Sequence, residues 1–220
     1  MSDIEVHMID HMGNDATVVN SARVSFRNDD QLNLSGTLDL PDANLIRYLA
    51  KHKHTSPFNH AFAQFKCKAP IFVARQLVKH EYLVWNEVSR RYTSTNIEIF
   101  NVSKWGRQSS DSKQGTGEDL EPHTQFKCSD TYDSAVSYAV EQYNTLLNLG
   151  VSKEDARMVL PLSTMTEWYW SGSLGAFAKM CKLRIDKHSQ SQTRSVAESV
   201  SFYMKEHFPV SWEALMGERW

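Results

Sequence analysis

The chain has 220 residues, enough to build one domain around a sizeable core. Its 24 Lys and Arg residues nearly balance 26 Asp and Glu residues, and a net charge of -2 gives no general attraction to nucleic acid or to a membrane surface. No apolar run approaches the roughly 20 residues of a membrane span, and the polar first residues lack a signal-peptide core, so we predict a cytoplasmic protein without nucleic-acid or membrane partners.

Strand and helix patterns follow each other irregularly in the first half of the chain. Apolar and polar residues alternate over 4–9, which predicts an opening strand, and a short helix is expected over 17–24. Asp42 is predicted to be the N-cap of a helix that ends near Lys53. Alternation over 62–67 predicts a half-buried strand, and Pro70 begins a buried helix over 71–78.

The second half begins with a polar segment, 106–124, that is typical of a mobile surface insertion. Helices are predicted over 129–149, 153–158, 174–183 and 196–208, and β-forming residues over 164–170. This irregular mixture predicts a single-domain α+β fold, a mixed sheet packed with helices, over residues 1–220. A Rossmann domain and a P-loop are not supported, because no Gly-x-Gly-x-x-Gly or Walker motif occurs.

Residues 75–92 combine cations and hydrogen-bonding groups with a strongly apolar segment. Arg75 and Lys79 are spaced to share one helical face, while Ser89, Arg90 and Arg91 can offer a hydroxyl and two guanidinium groups to a phosphate. An anionic small molecule is therefore the predicted ligand. The alternative is a solvated helix end with surface ion pairs, which are common in proteins.

Histidines and cysteines could indicate a metal site. His52, His54 and His60 lie in one short segment, but no His-Glu-x-x-His helix or suitably spaced carboxylate accompanies them, so we predict no metal. The scattered cysteines, without a Cys-x-x-Cys pair, are predicted to be reduced and mostly buried. They are Cys67, Cys128 and Cys181.

In order and spacing, several segments together resemble the flavin-dependent thymidylate synthase (ThyX) family. Residues 20–26 resemble its early Ala-Arg-Val-Ser segment, and 54–60 resemble its His-x-Thr-Pro-Phe-Glu-His segment. Residues 86–92, Asn-Glu-Val-Ser-Arg-Arg-Tyr, match the second half of the family signature. Residues 156–161 and 183–190 match the two C-terminal motifs, so the resemblance covers nearly the whole chain except 106–124.

The resemblance implies a ThyX fold that assembles as a homotetramer with active sites at subunit interfaces. It also implies conversion of dUMP to dTMP, with methylenetetrahydrofolate as carbon donor, FAD reduced by NADPH as hydride source, and no cysteine nucleophile. Arg184 is implied to be the catalytic arginine, where a fixed guanidinium favours an ionised uracil N3. From the residue alone, an arginine at the end of an apolar helix could equally stabilise the helix C-terminus.

Two groups of ligand-binding residues follow from the same resemblance. The implied dUMP residues are Gln76, Lys79, Glu87, Ser89, Arg90, Arg91, Arg157 and Arg184. The implied FAD residues are His54, Ser56, Lys79, His80, Glu81, Glu87, Ser173, Gly175 and Lys179.

The chain departs from the family pattern mainly around the flavin. The signature's Arg-His-Arg is Lys79-His80-Glu81 here; lysine loses the bidentate geometry, and Glu81 reverses the expected charge, which disfavours a pyrophosphate there. The family's later Asn-x-Arg and Asn align with Ser173, Gly175 and Lys179, and Lys179 can supply a replacement cation. Two alternatives stay open: a ThyX-like deoxyuridylate hydroxymethylase and a catalytically silent dUMP-binding module.

Overall fold

A computed structural model describes residues 2–26, 32–94, 96–110 and 115–217 of the chain. The strands are β1 (Glu5–Met12), β2 (Phe62–Pro70), β3 (Leu83–Glu87), β4 (Gly106–Gln108), β5 (Thr116–Asp119) and β6 (Met165–Ser173). The helices are α1 (Asp15–Arg23), α2 (Leu40–Lys51), α3 (Ile71–Leu77), α4 (Pro122–Asn148), α5 (Lys153–Ala156), α6 (Leu174–Arg184), α7 (Ser191–His207) and α8 (Pro209–Met216). The predicted α+β class is confirmed. Within the described ranges, no helix is both long and apolar enough to cross a membrane.

The main sheet has four strands in the order β1-β2-β6-β3. The sheet predicted as mixed is antiparallel at every pairing of these four strands. The reason is the position of β6: it lies between β2 and β3, which run in the same direction but do not touch. β6 therefore pairs in antiparallel fashion with both neighbours, and it forms the centre of the sheet together with β2.

One face of the sheet packs against helices and forms the core. The alternation predicted for 62–67 is confirmed, because every second residue of β2 from Ala63 onward is buried. Trp168 and Trp170 of β6 are also buried; Trp168 stacks on Trp85 with 4.4 Å between ring centroids, and Trp170 meets Phe177 of α6 edge-on at 5.4 Å. The first of these aromatic contacts joins β6 to β3, and the second holds α6 against β6.

Two predictions about helix ends are wrong. Asp39, not Asp42, is the N-cap of α2: its carboxylate accepts from the Asp42 backbone N–H at 2.8 Å, while the buried Asp42 side chain pairs with Arg23 at 2.6 Å. Helix α3 ends at Leu77, so Lys79 lies in the following turn and shares no helical face with Arg75. The chain must turn back there to bring β3 beside β6.

The segment predicted as a mobile insertion, 106–124, contains regular structure. Strands β4 and β5 pair in antiparallel fashion, and residues 122–124 form the first turn of α4; residues 111–114 lie outside the described residues. The Gln125 side chain fastens the base of this hairpin to α4, because it accepts from the Trp105 N–H at 2.8 Å and donates to the Trp105 carbonyl at 2.7 Å. Hydrogen bonds of this kind cannot be predicted from the amino-acid composition of the segment.

Candidate active site

Arg184 is the last residue of α6 and lines a polar cavity of about 580 Å³, here named the Arg184 cavity. Its Nε donates to Nε2 of His80 at 2.9 Å, and its Nη2 donates to the backbone carbonyl of Gln76 at 3.1 Å. Two bonds from different elements define the plane of the guanidinium, which leaves its remaining N–H groups for a ligand.

His80 is neutral at physiological pH. Burial, the Arg184 guanidinium and the Lys179 ammonium together lower the pKa of His80 to about 4. Because Nε2 accepts a hydrogen bond from Arg184, the imidazole proton lies on Nδ1. Burial also lowers the pKa of Arg184, but an arginine remains charged near pH 7.

Gln76 lies at the C-terminal end of α3 and contributes to the same cavity. Its side-chain amide is held on both sides, since Nε2 donates to Oε1 of Gln190 at 2.6 Å and Oε1 accepts from the buried Thr193 hydroxyl at 3.2 Å. Gln76 is more than a hundred positions away from both Gln190 and Thr193 in the sequence. The contact between α3 and α7 brings them together.

A second cavity, of about 350 Å³, gathers four of the predicted dUMP residues and is here named the Arg157 cavity. It is lined by Glu87, Ser89, Arg90 and Arg157. The Glu87 carboxylate accepts from the Thr166 hydroxyl at 2.7 Å, which fixes it at the end of β3. A hydroxyl and two guanidinium groups on one wall suit an anion such as a phosphate.

The predicted dUMP residues thus fall into two groups in a single chain. The two cavities lie at opposite ends of α3, because Ile71 lines one and Gln76 lines the other. These two residues are about 7.5 Å apart along the helix axis at 1.5 Å per residue. Two predicted ligands lie in neither group: Arg91 pairs with Glu154 at 2.9 Å, and Lys79 is exposed in the turn after α3.

A third cavity, of about 560 Å³ and here named the Lys179 cavity, contains three of the predicted flavin ligands. They are Ser173, Gly175 and Lys179. The Ser173 hydroxyl caps α6 and donates to Oδ1 of Asn59 at 2.8 Å. A Cβ on Gly175 would lie 2.6 Å from the same oxygen, so any larger residue at 175 would require the Asn59 side chain to move.

Three other flavin ligands implied by the family motifs lie at the edge of this cavity or beside it, whereas Glu87 lines the Arg157 cavity and His80 bonds to Arg184. Glu81 pairs with Lys179 at 3.3 Å, and both side chains are largely exposed. His54 and Ser56 are exposed on either side of Thr55, which does line the cavity. Sequence reasoning missed further lining residues, of which Thr55, Phe58 and Asn59 fall within the matched 54–60 segment and could have been found there. The missed residues are Thr55, Phe58, Asn59, Phe62, Tyr82, Ala176, Ala178, Lys182 and Leu215.

The cysteines are free thiols, as predicted. Cys67 and Cys181 are buried in the core, and burial raises the pKa of both thiols, which disfavours a thiolate nucleophile. Cys128 is half-buried on α4. Among the residues that the structure describes, no group of three or more His, Cys, Asp and Glu side chains is arranged to hold a metal ion.

Comparison with known families decides the relationship. Residues 7–210 match the family Thy1, described as thymidylate synthase complementing protein. The chain belongs to this family, also called ThyX. A flavin-dependent thymidylate synthase of Thermus thermophilus is 37% identical over 215 residues, which cover 95% of this chain and 74% of that protein. The corresponding protein of Thermosipho africanus is 33% identical and covers 96% of this chain and 90% of its own length.

Solved structures agree with this ThyX assignment. The UMP/dUMP methylase PolB from Streptomyces cacaoi, bound with 5-Br dUMP, has a TM-score of 0.85 at 31% identity and covers 97% of this chain and 94% of its own. The same methylase bound with 5-Br UMP has a TM-score of 0.86 at 29% identity, over 98% and 95%. This ThyX chain is therefore an enzyme of the methyltransferase class.

Proposed function

We propose that this enzyme converts dUMP to dTMP, with methylenetetrahydrofolate as the carbon donor and FAD reduced by NADPH as the hydride source. The observation that carries the proposal is the fixed guanidinium of Arg184, held by His80 and Gln76 at the wall of a polar cavity. The names of the relatives support the same activity, and the structural neighbour that binds 5-Br dUMP supports the nucleotide.

The nucleotide would be bound by both groups of predicted residues. Ser89, Arg90 and Arg157 offer a hydroxyl and two cations for the phosphate, whereas Gln76 and Arg184 line the other cavity, which suits the uracil ring. We infer that each complete site joins the Arg184 cavity of one subunit to the Arg157 cavity of another, because the family resemblance implies active sites at subunit interfaces. A homotetramer would provide such sites.

The chain's own residues suggest how uracil is activated. Negative charge that develops on the uracil N3 and O4 edge is stabilised by the N–H groups of Arg184 that His80 and Gln76 leave available. Neutral His80 accepts the Nε–H and adds no second positive charge beside the guanidinium. Because the two buried thiols have raised pKa values and Cys128 lines none of the three cavities, the proposed route uses no cysteine nucleophile.

The Lys179 cavity fits a flavin nucleotide. It combines an apolar lining, which includes the exposed ring of Phe62, with two cations, Lys179 and Lys182. A planar ring and a pyrophosphate need these two kinds of surface. FAD supplies a hydride when bound. The last turn of α6 carries Lys182 toward this cavity and Arg184 toward the other, so cofactor and uracil would lie on two sides of one helical turn.

The proposal is tested by assaying the purified protein with FAD, NADPH, methylenetetrahydrofolate and dUMP under low oxygen, with UMP in a parallel reaction. We expect a flavin absorption band in the protein fraction and a product with the mass of dTMP. A hydroxymethyl product would indicate the hydroxymethylase instead. Absence of bound flavin and of any product, with dUMP still bound, would indicate a silent nucleotide-binding module.

Changing Glu81 to Arg is expected to strengthen FAD binding. The substitution removes the carboxylate that pairs with Lys179 and adds a cation beside Lys179 and Lys182. Because the pair is largely exposed, we expect only about a fivefold lower Kd, equivalent to roughly 1 kcal/mol. Flavin titration followed by fluorescence measures this change. Glu81→Gln is the matched control, with a smaller gain; unchanged or weaker binding in both variants would mean that Glu81 does not face the cofactor.

A further inference from the structure

Tyr82 adopts an unusual conformation at the edge of the Lys179 cavity. Its φ is +63°, in the left-handed region that residues other than Gly, Asn and Asp rarely occupy, and its side chain is 81% exposed while lining the cavity. An exposed aromatic ring and a strained backbone both work against the stability of the isolated chain. Strained residues of this kind are concentrated at ligand sites.

The neighbouring sheet maintains this conformation. Leu83, the next residue, pairs with Gly172 of β6, and a Cβ at Gly172 would lie 2.4 Å from Cδ2 of Leu83 and 3.0 Å from the carbonyl oxygen of Tyr82. Glycine at 172 therefore allows the turn that carries Tyr82 to lie close against β6. The direction of the chain at Tyr82 is thus set by the rigid centre of the sheet.

The surroundings of the ring indicate what it contacts. Phe62, which is 41% exposed, belongs to the same cavity, and Lys179 and Lys182 provide positive charge on its α6 side. Aromatic walls next to ammonium groups suit a ligand that joins a planar ring to anionic groups. We propose that Tyr82 is a cofactor-binding residue whose ring stacks on a planar ring of FAD in the Lys179 cavity. This inference rests on the proposed function.

The proposal makes opposite predictions for stability and for binding. Asn tolerates a positive φ, so Tyr82→Asn should relieve the strain and raise Tm, by about 2 to 4 °C for a chain of this size. The same variant loses the ring, and FAD should bind about 10-fold more weakly, within the range found when aromatic stacking partners are removed. Tyr82→Phe keeps the ring and should bind FAD within about twofold of the unchanged protein.

The experiment combines thermal melts with FAD titrations of the full chain, read by flavin fluorescence. Tyr138, which is 64% exposed on α4 away from this cavity, supplies the control variant Tyr138→Leu, for which we expect no change in Kd. Titrations with FMN and with ADP show which ring Tyr82 contacts, because only the probe that contains that ring should lose affinity in Tyr82→Asn.

Unchanged Kd values for FAD, FMN and ADP in Tyr82→Asn would overturn the inference while the proposed function stands. Dissociation of the oligomer with unchanged FAD affinity would also overturn it, because Tyr82 would then be a contact between subunits. If the unchanged protein binds no FAD at all, the proposed function fails together with the inference. The unchanged protein is therefore titrated first.

Discussion

Replacing Arg184 with alanine is expected to slow dTMP formation by about a hundredfold to a thousandfold, because removal of one preorganised donor typically costs roughly 3 to 4 kcal/mol of transition-state stabilisation. The guanidinium is preorganised before any ligand arrives, through its bonds to His80 and to the Gln76 carbonyl. Folding should change little, since Arg184 is only half-buried and is the last residue of α6. A purely surface arginine would cost well under ~1 kcal/mol.

The measurement is single-turnover oxidation of prereduced flavin in the presence of dUMP and the folate donor. A thermal melt and a flavin titration confirm that the variant is folded and holds its cofactor. Arg47→Ala is the matched control, because Arg47 is exposed on α2 and bonds only weakly to Asn44, at 3.4 Å. Near-normal dTMP formation by Arg184→Ala would refute the catalytic assignment.

Local patterns were sufficient for much of the fold. The alternation in 62–67 predicts β2 because only every second residue of that strand faces the helices, and the apolar run 174–183 predicts α6 because that helix is buried on most sides. The matched motifs also identify residues around all three cavities, including Arg157, Ser173 and Arg184. Such patterns indicate which residues of one strand or helix are buried and which are exposed.

Contacts between distant elements could not be predicted in the same way. The Asp15 carboxylate accepts from the backbone N–H groups of Val210 and Ser211 at 2.9 and 2.8 Å, and so caps α8 from nearly the other end of the chain. Nothing near residue 209 indicates that cap, and α8 itself was not predicted. The division of the dUMP residues between the two ends of α3 is a similar case. The spacing of the motifs in the sequence does not specify at which end of α3 each motif lies in the fold.

His80 is expected to act on the rate through Arg184. His80→Phe removes the acceptor of the Arg184 Nε–H, so the guanidinium can rotate, and misplacement by about 1 Å can cost up to about a hundredfold in rate. His80→Gln keeps an acceptor oxygen and should recover much of that loss. The assay is the single-turnover reaction used for Arg184. Equal rates in the two variants would contradict a positioning role that depends on the acceptor.

The same residue predicts how stability depends on pH. The folded-state pKa of His80 is about 4, below the ordinary value of 6.5. Between pH 4 and pH 6.5 the imidazole is therefore protonated in the unfolded chain and neutral in the folded protein. Its contribution to stability is therefore complete above pH 6.5 and is lost as the pH falls toward 4. Because His80 is only half-buried, solvent screening reduces its contribution to the free energy of unfolding to about 1 to 2 kcal/mol, which corresponds to a Tm difference of a few degrees. The Tm of the unchanged protein should fall more steeply over this range than that of His80→Gln, and parallel curves would show that His80 is not held neutral by the fold.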